Sequence, residues 1–199
     1  MGRGDLVDKQ DARWLRTEAA IMAAFEHELA QSPVASMRVA RLAEKASVSK
    51  AAFYLHYAGI DDLADAYVLQ KARELVKELG DVRCLLVKPE AFTKRFLHTM
   101  GAPEQVRLME KLAANSLQGM FMDRLFDELR AEFKRQVGGP YHIPGQIESS
   151  AIAFILNGLL GVIWVNGGCP SQTIVHQAAL TVKQIVTSPR AGAAEMAAG

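Results

Sequence analysis

The chain has 199 residues, half of them apolar, and a formal charge of +1. That length suits one or two domains with a real core. The near-neutral balance excludes a protein-wide basic field, so any nucleic-acid binding must come from a local patch.

The N-terminal stretch "MGRGDLVDKQDARW" is polar, carries charges of both signs and lacks the apolar core of a signal peptide. Leu6 stands where a myristoylation motif wants Ser or Thr. From Ala12 to Leu29, Leu15, Ile21, Met22, Phe25 and Leu29 recur at helical spacing. Pro33 closes that helix. Ser36 is expected to cap a second one, with Val39, Leu42, Ala43 and Ala46 as its apolar face. "SVS" is a short break, after which Ser49 caps a third helix through about His56. "AGI" forms the next joint, with Gly59 supplying backbone freedom. Asp61 and Asp62 then open a long helix, where they favour its positive dipole end. It ends near Gly80.

Past Gly80, "DVRCLLVKP" reads as a connector or short helix before Pro89. Helices are expected from about Glu90 to Met100, Pro103 to Ala114 and Leu117 to Gln136. "VGGPYHIPG" is a loop dense in Gly and Pro. Two more helices follow, about Gln146 to Asn166 and Ser171 to Thr187, split by "GGCP". The tail after Thr187 is expected to be disordered at its end. "AIAFILNGLLGVIWV" falls short of the roughly 20 residues a membrane span needs, and reads as a buried helix. The fold class is therefore all-α, and the protein is expected to be soluble and cytoplasmic, with no membrane partner.

Cys84 and Cys169 form no CxxC pair and read as free thiols of a reducing compartment. His27, His56, His98, His142 and His176 show no paired ligand spacing, so neither a metal nor a cofactor is expected. GxSxG, P-loop, GxGxxG and HExxH signatures are all missing from the sequence, which argues against an enzyme.

Arg38 to Tyr57 reads "RVARLAEKASVSKAAFYLHY". A helix, a break of a few residues and a second helix is the helix-turn-helix plan, in which the second helix enters the major groove. Leu42, Ala46, Val48 and Phe53 are placed to hold the two helices crossed. Phe53 and Tyr57 point inward. Ser49, Lys50, Ala51, Ala52, Tyr54 and His56 fall largely on the other side. Lys50 can reach phosphate or guanine, Tyr54 and His56 can bond phosphate, and the alanines allow close approach. Arg38, Arg41, Lys45 and Lys50 face only Glu44 as a negative charge within the stretch. Pairing of Arg38 or Arg41 with Glu44 competes with DNA contact.

The block from Ile21 to Leu63 resembles the DNA-binding domain of the tetracycline-repressor-like (TetR-like) transcriptional regulators. "IMAAFEHEL" matches the family's first-helix pattern. "VARLAEKASVSKAAFYLHY" matches a Val-x-x-Ile-Ala-x-x-Ala-Gly-Val-Ser-Lys-Gly-Thr-Leu-Tyr-x-His-Phe type of signature, and "IDDLADAY" the start of the fourth helix. The resemblance implies that the groove helix is Ser49 to His56, with Lys50, Ala51, Ala52, Tyr54 and His56 facing DNA and Arg38 and Arg41 on the bracing helix. Three departures stand out. Ser47 replaces a usual glycine, Ala51 and Ala52 replace Gly-Thr, and Ile60 replaces a phosphate-contacting lysine. Backbone amides at the start of the fourth helix can still hold a phosphate.

The implied organisation is a helix-turn-helix DNA-binding domain over 1-59, a connecting helix over 60-80, and an effector-binding and dimerisation domain over 81-199. The last two helices are expected to pair with those of a second copy. Phe154, Ile155, Gly158, Leu159 and Val162 lie on a broad apolar surface, and Gly158 and Gly161 would permit close helix approach. A small apolar effector is expected among Met100, Met109, Met120, Phe121, Phe126 and Trp164, since methionines and aromatics line adaptable cavities. The expected function is a homodimeric repressor that binds a palindromic double-stranded operator and is released by its effector. The rival readings are an activator of the same fold and a helical protein-interaction adaptor.

Overall fold

The computed structural model describes residues 3–137, 145–168 and 170–187, and within them every regular element is helical. The order is α1 (Arg3–Leu29), a 3-10 turn (Val34–Ser36), α2 (Val39–Lys45), α3 (Lys50–His56), α4 (Ile60–Leu79), α5 (Cys84–Val87), α6 (Pro89–Met100), α7 (Pro103–Ala114), α8 (Gln118–Val137), α9 (Gly145–Val165) and α10 (Gln172–Thr187). The loop expected over "VGGPYHIPG", including His142, lies almost wholly outside the described residues, as do Cys169 and the tail after Thr187.

Two compact units emerge. One comprises Met1–Ala72 with Met109–Arg124, the other Arg73–Leu108 with Leu125–Gly199. The first unit is therefore completed by residues from the middle of the chain. Ile21, Phe25 and Leu29 of α1 are buried with Leu42, Phe53, Leu63 and Tyr67, and Leu112 and Phe121 are buried as well. The Phe25 and Tyr67 rings meet edge to face at 5.3 Å. Asn115 ties the later segment to the earlier one. Its Oδ1 accepts from the Val34 amide at 3.0 Å, and its Nδ2 donates to the carbonyls of Leu29 (3.3 Å) and Lys111 (2.8 Å). Arg124 adds a forked pair to Asp65, with N–O distances of 2.7–3.0 Å.

The second unit is built on α6 and α10, with α9 and α5 against them. Pro89 opens α6 at its first turn, where a missing amide costs nothing. Phe92, Phe96, Leu97 and Met100 then recur at helical spacing and are all buried. Ile155, Leu156, Leu159, Leu160 and Ile163 bury one side of α9, and Ala179 and Val182 do so for α10.

Three helices end in the same way. Ser47, Ser116 and Gly167 have positive φ (55°, 59° and 62°). In each case the next amide reaches back five residues: Val48 to Ala43 (2.9 Å), Leu117 to Leu112 (2.8 Å) and Gly168 to Ile163 (2.9 Å). This is the Schellman arrangement, which satisfies carbonyls the helix leaves open. Only the third position holds the residue best suited to it.

The structure revises three local expectations. Helix α1 begins at Arg3 rather than Ala12, and Leu15 is 62% exposed instead of packed. Ser36 does not cap α2: its hydroxyl donates to the Pro33 carbonyl at 2.8 Å inside the 3-10 turn, and Arg38 occupies the cap position without a side-chain bond. Arg41 pairs with Glu28 of α1, not with Glu44. A Cβ at Gly158 or Gly161 would meet no atom of the described residues within 4 Å, so the space beside both glycines is open.

Candidate nucleic-acid interface

Helix α3 has only seven residues, too few to persist alone in water. Three features hold it. Ser49 caps its start by accepting the Ala52 amide at 3.0 Å. The Ser47 turn delivers it from α2, with the Ser47 amide bonded to the Glu44 carbonyl (3.0 Å) and the Val48 amide to that of Ala43 (2.9 Å). Phe53 and Tyr57 are buried on one side, their ring centroids 5.9 Å apart. Burial, reinforced by the Glu18 carboxylate and then by Asp62, pushes the Tyr57 hydroxyl up to about pKa 12, so it stays neutral at physiological pH.

The opposite side of α3 is open. Ser49, Lys50, Ala51, Tyr54 and Leu55 are exposed, Tyr54 by 57%. Ala52 and His56 are half-buried. The His56 ring lies 3.7 Å from that of Trp14, tilted by 30°, so its imidazole is stacked on α1. Leu55 is an exposed apolar residue on this helix that the spacing argument did not single out, although its place one turn after Ala51 marks the same stripe.

The four basic side chains divide into two pairs. Arg41 and Lys45 sit one turn apart on α2 and both reach Glu28, which is only 1% exposed. The Arg41 Nε–Glu28 Oε2 distance is 3.0 Å, and Lys45 forms a close contact with the other oxygen. The Lys45 hydrogen bond holds the Glu28 carboxyl below its usual range, burial opposes this in part, and Arg41 adds to the lowering. Arg41 keeps more than half of its side chain in solvent, so it braces the helices and still presents its guanidinium outward. Arg38 and Lys50 are exposed and have no ion-pair partner among the described residues.

At the start of α4, Asp62 Oδ2 accepts the Ala58 amide at 2.8 Å, and the Leu63 amide bonds the Gly59 carbonyl at 3.1 Å. The carboxylate thus already serves an amide beside the helix start where a phosphate was expected to bind.

The residues expected to line an effector site are divided between the two units. Met109, Met120 and Phe121 belong to the first unit, Met100 and Phe126 to the second. Met100, Met109 and Phe121 are buried core, Met120 is exposed, Phe126 is half-buried, and the Trp164 side chain lies outside the described residues. The five residues expected at a dimer contact do gather. Phe154, Ile155, Gly158, Leu159 and Val162 line one side of an apolar groove of about 420 Å³, and Ile174, Ala178, Val182 and Ile185 of α10 line the other. Phe154 is 69% exposed.

No known family's sequence profile matches the chain. No curated protein matches it either. Among solved structures it is similar to the TetR family repressor AlkX from a Dietzia species, implicated in biodegradation of n-alkanes, at 16% identity and a TM-score of 0.49, with 85% of this chain and 92% of that one covered. It is also similar to a TetR family transcription regulator from Marinobacter aquaeolei, at 16% identity and a TM-score of 0.49, covering 88% and 97%. A third is a TerR/AcrR family transcriptional regulator from Aquifex aeolicus, at 17% and 0.48, covering 85% and 99%. At that distance these neighbours bear on neither the target nor the ligand of this chain.

Proposed function

We propose that the protein is a DNA-binding transcriptional regulator that acts as a homodimer on a palindromic operator and represses until a small effector releases it. The observation that carries this reading is the two-sided build of α3. Its inner side is fixed by Phe53 and Tyr57, and its outer side offers Lys50, Ala51 and Tyr54 next to Arg38 and Arg41. A short helix so held, flanked by the exposed Arg38 and by Arg41, whose guanidinium still reaches solvent beside Glu28, suits insertion into a major groove. Lys50 and Tyr54 are the base and phosphate contacts in this reading, and Arg38 and Arg41 hold the backbone. His56 supports the helix through Trp14 and contributes at most an edge. The apolar α9–α10 groove serves the second copy, and dimer spacing sets the half-site separation at about one helical turn.

Binding of the full chain to a fluorescent fragment of its own upstream region, across a salt series, tests the reading. A dimer neutralising several phosphates gives a steep negative slope of log affinity against log salt. Absence of binding at low salt rejects it.

A further inference from the structure

The second unit holds a hollow that the proposed DNA contact does not use. It measures about 340 Å³ and is lined by Lys94, Leu97, His98, Pro170, Gln172 and Val175, with Gly101 and Gly168 beside them. The size suits a small organic molecule. Its walls are the second half of α6 and the first turn of α10. Two nitrogen-bearing side chains enter from one side: Lys94 and His98 stand one helical turn apart, and neither has an ion-pair partner among the described residues. Glu90, one turn before Lys94 on α6, is engaged by Lys183 at 2.8 Å, and the Lys94 charge also helps to hold its carboxyl low. Leu97, Pro170 and Val175 give the hollow an apolar surface.

The wall is built by close backbone approach. A Cβ on Gly101 would lie 2.6 Å from the Gly168 carbonyl oxygen. Gly168 has φ +86°, and a Cβ there would lie 2.7 Å from a Val106 methyl. No other residue fits either position without moving the wall. At the mouth, Ser171 caps α10, taking the Ile174 amide on its hydroxyl (3.4 Å) and the Val175 amide on its carbonyl (2.9 Å). Helix geometry leaves the Gln172 and Thr173 amides without intrahelical acceptors, and they add to the positive character of that end.

We propose that this hollow binds a small carboxylate-bearing molecule, its carboxylate held by Lys94 and His98 and its short apolar body laid on Leu97, Pro170 and Val175. Charge and apolar surface each supply part of the affinity, so neither a bare anion nor the neutral analogue binds as well. The site needs no DNA, and its test is independent of the regulatory reading.

Hexanoate is the probe, with hexanol lacking the charge and inorganic phosphate lacking the body. Titration calorimetry on the intact protein without DNA is expected to give saturable hexanoate binding with a Kd of about 1 mM or tighter. Phosphate and hexanol are expected to bind at least roughly tenfold more weakly, the scale of one charge-assisted hydrogen bond. Lys94→Met keeps the apolar stem and is expected to weaken hexanoate about tenfold, while Lys134→Met, which removes an exposed charge of α8 that does not line the hollow, leaves it unchanged. Circular dichroism on both variants establishes that they fold. A hexanoate affinity unmoved by Lys94→Met, an equal loss in Lys134→Met, equal binding of phosphate, or no saturable binding up to about 10 mM overturns the assignment.

Discussion

Helices α3 and α9 each leave one side uncovered, and they do so in opposite chemical terms. Helix α3 is short, and its open side carries Lys50, Ala51 and Tyr54, with Leu55 as an exposed large apolar residue. Helix α9 is three times as long, and its open side carries Phe154, Gly158 and Val165. Water tolerates the first side and penalises the second. The contrast suggests what each side waits for: a charged, hydrated surface in one case and another apolar face in the other.

Four substitutions sharpen this contrast. The largest effect belongs to Phe53→Ala, which empties the inner anchor of α3. It is expected to cost about 3–5 kcal/mol of stability, read by thermal or denaturant unfolding, and to abolish DNA binding with it. Phe154→Glu leaves the fold intact, because that side chain is already in solvent, but places a charge in the apolar groove. Sedimentation analysis is expected to show loss of dimer by about a hundredfold in Kd or more; an unchanged dimer assigns the interface elsewhere. Lys50→Met retains the stem of the lysine and is expected to weaken DNA binding about tenfold and lower the salt slope by about 1, with the melting temperature unmoved. The smallest change is Ser47→Gly. Relief of the left-handed backbone outweighs the added freedom of the unfolded chain, and stability is expected to rise by about 0.5 kcal/mol in denaturant melts, with DNA affinity retained.

Much of α3 was readable in advance, because the information is local. Serine as a cap acts three residues away, and the burial of Phe53 and Tyr57 follows from helical spacing. The turn was readable only in part. A serine at position 47, where a glycine is usual, pointed to a turn conformation that serine tolerates, whereas the structure holds it in the left-handed region at φ 55°. What escaped was non-local. Glu44 was the acid in view for Arg41, being close in sequence. Glu28, thirteen positions earlier on α1, is brought in by helix packing that no spacing rule displays. Ser36 went to a local 3-10 turn because the Pro33 carbonyl was nearer than the amides of α2. Spacing was equally silent on an effector lining: Met and Phe at helical spacing fill a core as readily as they line a cavity, and here the two units divide them.

Asn115 has a consequence for the order of events during synthesis. The region carrying α2 and α3 is finished early, yet Val34 and Leu29 find their polar partners only on a residue some eighty positions later. Leu112 and Phe121 must also arrive before that core is filled. A nascent chain that has released only its first eighty residues therefore carries α3 on an incomplete support. That end of the protein matures only when the ribosome has delivered residues from the far side of α6.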